Sequence, residues 1–458
     1  MRAVSKTGRP ERVFLDVEDR LSKSRLLLAA TLFLALSALS ALAGAQVPVT
    51  LEEALAEARA ANARLPLPAF DVAIAREKRT ETRAERWLKV AVEGNFVYAP
   101  PSGYDPVVTN LGEVRLQAVG RQPLYDGGAR RAAVAKATAE LDAAQKRYRI
   151  EEKDLELEVI SRYNELLSAR EEVAARREGI ARLESYRTSL QSRQASGQAV
   201  APDLMKTDVR FASEQVNVLE AEKRADDARL ELNDLMGREP RASLEIAPLP
   251  VPNRDAAAQG GAWEEAPEVS AARAEASAAD ANLSGARAER RPHLDLSADF
   301  GFWGSDTSRL VPLDLKQRDP NATFFDRIRR DAGYSFTLSL SWQVFDFGAM
   351  RARLAQADLA LRQARQKVEV ARRDARLKWA QAHSAIETLG REVDLLSRAG
   401  PAARDAFLEA ESRYRGGAAT SLEVLDAYSS SVDAAVRFSD AVARYRIARA
   451  LADRWGSP

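Results

Sequence analysis

The chain says nearly the same thing twice, one long stride apart. Gln122-Pro123-Leu124-Tyr125-Asp126-Gly127-Gly128-Ala129-Arg130-Arg131 is answered by Trp342-Gln343-Val344-Phe345-Asp346-Phe347-Gly348-Ala349-Met350-Arg351, which sets Asp126 and Asp346 220 positions apart. Gly197 and Gly417 keep the same spacing of 220, and Asp203-Leu204-Met205 follows the first as Glu423-Val424-Leu425 follows the second. Each copy runs from β-like residues through an Asp-x-Gly turn into a long helical stretch, a Gly-marked reversal and another helix. A duplicated strand-to-long-helix module fits almost no enzyme.

Length alone (458 residues) would allow about three average domains. The abundance of Ala, Leu, Glu, Arg and Lys, a formal net charge of +1 and 7% aromatic residues argue instead for one elongated, helix-rich architecture. No basic excess points to nucleic acid as a partner. The sequence holds no cysteine, which removes disulfides, thiolate chemistry, Cys-ligated zinc and a lipid-modified cysteine. His293 and His383 are the two histidines, too few for a His-based catalytic or metal cluster.

Lys23 and Arg25 precede an uncharged run from Leu26 to Gln46 that includes Ala43-Gly44-Ala45. This reads as a secretory signal peptide over residues 1–45, cleaved after Ala45. The rival is a retained anchor, since about 20 apolar residues span a bilayer; no basic stop-transfer cluster follows. The charged stretch before Leu21 is long for such a signal, consistent with a start site placed too far upstream. No later long apolar run exists, so further membrane contact falls to β-strands or a surface face.

A first repeat is expected over 46–245, a Pro-rich surface linker over 246–263 and a second repeat over 264–458. Thr50 and Glu53 form a capping box for an opening helix, with a break near Pro66 and Pro68 and helical text to about Trp87. Strand hairpins are predicted over about 88–125 and 292–345. In the second, Leu294, Leu296, Ala298, Phe300 and Phe302 alternate with polar residues, as do Phe336, Leu338, Leu340, Trp342 and Val344. Period-2 alternation over some ten residues has the length and pattern of a transmembrane β-strand. Phe300, Phe302, Trp303, Phe336 and Trp342 would suit an interfacial aromatic girdle. Helical hairpins follow over about 129–237 and 349–455. Val134, Leu141, Tyr148 and Leu155 recur every seven residues with alanines between, as do Leu354, Leu361 and Val368. Each long helix would reach roughly 95 Å at ~1.5 Å per residue, so the helices must project.

This order of elements resembles the bacterial outer-membrane efflux, or TolC-like, family. Leu51-Glu52-Glu53-Ala54-Leu55, Gln122 to Gly128 and Gly417 to Asp426 carry the resemblance, their order and spacing being more specific than any one alone. The resemblance implies a mainly α fold with a β-barrel portion. Three chains would close a 12-stranded membrane barrel continuous with a periplasmic α-helical tunnel. Closure of some kind follows from the sequence, because in lipid an open four-stranded sheet leaves its edge groups unsatisfied. The implied role is the passive exit duct of a tripartite efflux or type I secretion system, in the outer membrane with a large periplasmic part. Its partners would be the homotrimer, a periplasmic adaptor, an inner-membrane transporter and lipid. A periplasmic adaptor with coiled-coil hairpins is the alternative.

No catalytic constellation, cofactor motif or metal-spaced ligand set stands out. Glu423 and Asp426, three apart, share a helix face beyond the Gly417 reversal. By resemblance they form acidic rings at the periplasmic aperture, where like charges attract cations. Helix N-terminal acids answering the macrodipole would look the same. The resemblance makes Asp203 and Tyr414 gate contacts between hairpins. The family's basic partner, two positions after Gly417, is here Ala419, so a looser gate is expected. Gly197, Ala199, Gly417 and Ala418 form tips without bulky side chains, suited to end-on adaptor docking beyond their ordinary role at a helix C-terminus.

Overall fold

The computed structural model describes residues 48–98, 112–198, 200–251, 263–305, 311 and 313–456. The predicted signal peptide and Ala199 lie outside the described residues. Helix α1 (Leu51–Ala61) starts at Thr50, whose hydroxyl accepts from the Glu53 amide at 3.2 Å while the Glu53 carboxylate accepts from Thr50 N–H at 2.8 Å. Asn62 ends it, and α2 (Pro66–Ala84) begins with Pro66, where a missing N–H costs nothing. Strands β1 (Lys89–Tyr98) and β2 (Gly112–Tyr125) lead into the 67-residue α3 (Ala129–Ala195) and its return helix α4 (Ala201–Leu235). The second repeat supplies α5 (Pro267–Ala288), β3 (His293–Ser305), two short helices α6 (Leu313–Arg318) and α7 (Phe324–Asp331), and β4 (Ala332–Ser341). It ends with the 67-residue α8 (Ala349–Arg415) and α9 (Ser421–Gly456). The stride is therefore structural: α3 and α8 start and end 220 residues apart, and so do the starts of α4 and α9.

The strands form one antiparallel sheet in the order β1-β2-β3-β4. Its register aligns Val92 with Ala118, Ala118 with Phe300, Ala298 with Phe336 and Leu296 with Leu338. Side chains alternate across a strand, so all four strands place most of their apolar residues on one face, with Val119 and Trp303 among the exceptions. That face is bare: Val92 is 74% exposed, Phe336 72% and Leu340 71%. The other face carries Glu93, Arg115, Gln117, Asp295, Asp299 and the β4 hydroxyl residues. An apolar surface this continuous requires a cover. Gly301 of β3 pairs with Gln117 of β2 and leaves no room for a side chain; a Cβ there would sit 2.4 Å from Leu116 O.

Three expectations are corrected here. Strand β4 stops at Ser341, so Trp342 and Val344 lie beyond the ladder. The predicted aromatic girdle divides, since Trp303 falls on the polar face and Phe302 is buried. The linker over 246–263 is not simply a surface strap: residues 252–262 lie outside the described residues, but at its start Ile246 is buried and pairs in parallel with Val49. The Tyr163 hydroxyl donates toward Val49 O and Ala247 O, at 3.0 and 2.7 Å, because a buried phenol needs a partner.

The helices form a layer in the order α4-α3-α9-α8, with α5 wedged between α3 and α8 near the sheet. The heptad alanines explain the wedge: Ala357 and Leu361 bury against Leu283 of α5. Asp126 joins sheet to helix, its carboxylate accepting from the amides of Gly128 (3.0 Å) and Arg130 (2.7 Å) and from Arg130 Nε (2.8 Å). Burial alone would raise the Asp126 pKa, but the hydrogen bonds from Arg130 and Gly128 outweigh it and hold the carboxyl below its usual range. A depressed folded pKa means the contribution is complete above about pH 3.9 and is lost as pH falls through the folded value. Asp346 keeps the two amide bonds, to Gly348 and Met350, and has Met350 where Asp126 has Arg130. Asp126→Ala should therefore lower stability by about 1–2 kcal/mol, more than Asp346→Ala, as read from urea melts of helical circular dichroism.

Candidate functional site

Both hairpins reverse by the same device. Gly197 and Gly417 adopt left-handed φ values of 71° and 76°. The next amide closes back on the helix, Gln198 N–H to Arg193 O and Ala418 N–H to Arg413 O, both at 2.8 Å. This is the Schellman arrangement, which favours glycine because a Cβ disfavours positive φ. Gly197, Gly417 and Ala418 are exposed, and a Cβ added to either glycine would meet nothing within 4 Å. The tips are blunt and unobstructed.

Behind them the two hairpins are locked together within one chain. Leu183, Tyr186 and Leu190 of α3 bury against Val424, Leu425, Tyr428 and Val432 of α9 and Phe407 of α8. Gly179 makes this approach possible, since a Cβ there would lie 2.8 Å from Val432 Cγ2 and 3.0 Å from the Tyr428 hydroxyl. Tyr186 meets Tyr414 edge-on at 5.4 Å between ring centroids, and Phe407 meets Tyr428 at 5.9 Å. The Arg193 guanidinium lies 5.1 Å from the centroid of the Tyr414 ring and donates to Tyr414 O at 3.0 Å.

A cleft of about 450 Å³ separates the tips, lined among others by Arg193, Asp203, Lys206, Tyr414, Ala419 and Ser421. Burial and the Asp203 carboxylate push the Tyr414 phenol above its ordinary pKa. Burial does the same more strongly to Tyr186 and Tyr428. The predicted pair Asp203 and Tyr414 is thus brought together, on opposite hairpins of one chain.

Glu423 and Asp426 stand outside this cleft, on the exposed face of α9. Glu423 completes a capping box with Thr420: its Oε1 accepts from Thr420 N–H at 3.4 Å while its own N–H donates to the Thr420 hydroxyl at 3.3 Å. Among the described residues no cation lies within ion-pair distance of either acid. The same face continues through Ser430, Asp433 and Arg437, all exposed, as a polar stripe opposite Val424, Tyr428 and Val432.

The sequence profile of the family described as outer membrane efflux protein matches residues 39–238 and 260–456, one match to each repeat. This chain belongs to that family. It is an outer-membrane protein. The pyoverdine export outer membrane protein OpmQ of Pseudomonas aeruginosa is 26% identical over 330 residues, covering 70% of this chain and 64% of its own. The outer membrane protein OprJ of the same organism is 28% identical over 236 residues, 50% of this chain and 44% of its own. The chain therefore spans about half to two thirds of the curated relatives it matches. Among solved structures, CusC superposes with a TM-score of 0.77 at 18% identity, covering 90% of this chain and 93% of that one. VceC from Vibrio cholerae gives 0.73 at 19%, covering 89% and 96%. These likenesses establish the fold.

Several residues of this efflux-family junction were not singled out from sequence. Gly179, Tyr186 and Tyr428 sit at seam positions, and a small residue opposite two large aromatics was a usable signal. Arg193 was one of 68 basic residues with nothing local to mark it. His383 meets Trp379 at 4.3 Å between ring centroids, tilted by 54°, within α8 and far along the chain from the tips. Among the described residues no group of three or more His, Asp or Glu could hold a metal ion, and no helix is long and apolar enough to cross a membrane.

Proposed function

We propose that three copies of this chain form a passive exit duct through the outer membrane, taking cargo from an inner-membrane pump joined by a periplasmic adaptor. The observation that carries this reading is that both layers are strips with open edges. The sheet ends at β1 and β4 and the helical layer at α4 and α8. Head-to-tail repetition joins β4 to β1 and α8 to α4 of the next copy, closing barrel and tunnel together. Three copies give twelve strands, the apolar face turned to lipid and the polar face inward. Such a duct catalyses nothing; the energy comes from the pump. The adaptor alternative is disfavoured by the sheet, since a periplasmic protein has no use for so large a bare apolar face.

On this reading the α9 polar stripe lines the tunnel mouth, and Glu423 and Asp426 become rings of negative charge. Glu423→Gln with Asp426→Asn should cut the cation preference of the channel, read as a shift of the bilayer reversal potential toward zero in a salt gradient. An unchanged preference would remove these acids from the aperture. Gly197, Gly417 and Ala418 are the surface an adaptor would meet. Ala418→Trp should abolish export while leaving the trimer intact, and undiminished export would refute tip docking.

A further inference from the structure

In the duct proposed above the sheet has a periplasmic and an outer end, and the assignment below rests on that reading. Tyr125 of β2 and His293 of β3 lie beside the starts of α3 and the end of α5, on the helical, periplasmic side. Gly112 and Ser305 are at the opposite end, toward the outer leaflet of the membrane. There α6 and α7 connect β3 to β4.

Helix α7 lies across the apolar face of the sheet rather than beyond its rim. Gly304 shares that face with Val114 and Phe302: a Cβ added to it would lie 3.0 Å from each of those side chains and 2.9 Å from Arg327 Nη2. Under α7, Phe302 is buried and Arg327 is 3% exposed. The next rows of the same face are bare, with Phe300 67% and Tyr334 74% exposed. Tyr334 pairs with Phe300 and meets the Phe336 ring edge-on at 6.0 Å. A guanidinium folded over the apolar face has no place in hydrocarbon, so α7 marks where the hydrocarbon ends. Exposed aromatic rings directly beneath it are those of a membrane interface.

The charges of this connection are unevenly satisfied. Asp319 accepts from the Asn321 amide at 2.9 Å, and Asp326 accepts from Thr323 N–H and hydroxyl at 2.9 and 2.7 Å. Asp331 pairs with Arg330 at 2.7 Å and Arg327 at 3.5 Å. These acids are therefore engaged locally. Lys316, Arg318 and Arg329 are exposed, and among the described residues none of them has an ion-pair partner. Phe325 is 77% exposed and lies four residues before Arg329, so the two share one helix face. That face presents a ring and a guanidinium side by side, with two more cations on α6. Basic side chains beside an exposed aromatic at a membrane boundary are the pattern that holds an anionic headgroup. The outer leaflet of an outer membrane supplies one, a glycolipid whose sugars carry phosphate.

We infer that α6 and α7 form a basic collar for this glycolipid, Lys316, Arg318 and Arg329 holding its phosphates and Phe325 resting against the tops of its acyl chains. The probe is purified lipopolysaccharide, titrated into the full-length channel in non-ionic detergent and read as an apparent Kd by thermophoresis. Lys316→Gln with Arg318→Gln and Arg329→Gln should weaken binding roughly a hundredfold. Lys316→Arg with Arg318→Lys and Arg329→Lys should retain it. Dephosphorylated lipopolysaccharide should bind the unmodified protein as weakly as the intact lipid binds the glutamine variant. Undiminished binding by that variant would overturn the collar. Inorganic phosphate binding as tightly as the lipid would overturn the lipid as its ligand. Placement is tested in intact cells. The protein has no cysteine of its own, so Phe325→Cys should react with a membrane-impermeant maleimide added outside. Reaction only after lysis would overturn the outer location. A channel that assembles and conducts yet binds no lipopolysaccharide refutes the collar alone, whereas one that neither assembles nor conducts refutes the duct reading beneath it.

Discussion

Leu338→Arg should prevent the assembled channel from accumulating in the outer membrane, whereas Ser339→Arg, one residue further on, should leave assembly intact. The two positions differ only in which face of β4 they occupy. Leu338 pairs with Leu296 on the bare apolar face and is itself 62% exposed. Ser339 pairs with Asp295 on the polar face. An arginine facing hydrocarbon near the bilayer centre costs about 2–4 kcal/mol, and a closed ring carries that cost in every copy. On the inner face the guanidinium remains in water beside a carboxylate. Folded, heat-modifiable oligomer in outer-membrane fractions reads both outcomes. Equal loss in the two variants would mean that the sheet does not separate lipid from water.

Tyr428→Ala should loosen the hairpin tips and raise conductance through the resting channel. Tyr428 is 1% exposed and packs between Gly179, Val432 and Phe407. Removing a buried aromatic side chain costs roughly 3–5 kcal/mol when the cavity cannot collapse, and here two 67-residue helices limit collapse. Tyr428→Phe separates packing from polarity. The hydroxyl is buried with no hydrogen-bond partner among the described residues, so its loss should be neutral or mildly stabilising. Thermal melts and planar-bilayer recordings on the pair would distinguish a packing lock from a polar one. Higher conductance from both variants would favour the polar lock.

The large features were legible because they depend on period and spacing. Two helices of equal length, their glycine reversals and the alternation of β3 follow from residues that dictate local backbone or facing. The Asp126 and Asp346 turns were visible as motifs, and both carboxylates do cap their helices. What was not legible depends on contacts across the chain. Nothing local distinguishes Arg193 from other arginines, and its role exists only because Tyr414 of the other repeat ends beneath it. The start of the linker misled because its prolines suggest a surface strap, while Ile246 buries against α1 and the middle of α3. Trp342 and Val344 continued an alternating pattern past the point where β3 offers them a partner, since pattern alone does not end a ladder. Glu423 illustrates a different limit: capping a helix, which it does, and facing an aperture, as proposed above, call for the same residue type at the same place, so the sequence alone does not separate the two roles.

The most direct measurement is single-channel recording of the purified full-length protein in planar bilayers, with native mass spectrometry on the same preparation. Three copies per particle and discrete conductance steps, small at rest and larger after Tyr428→Ala, are the expected result. A monomer, or a trimer that never conducts in either form, would contradict the account.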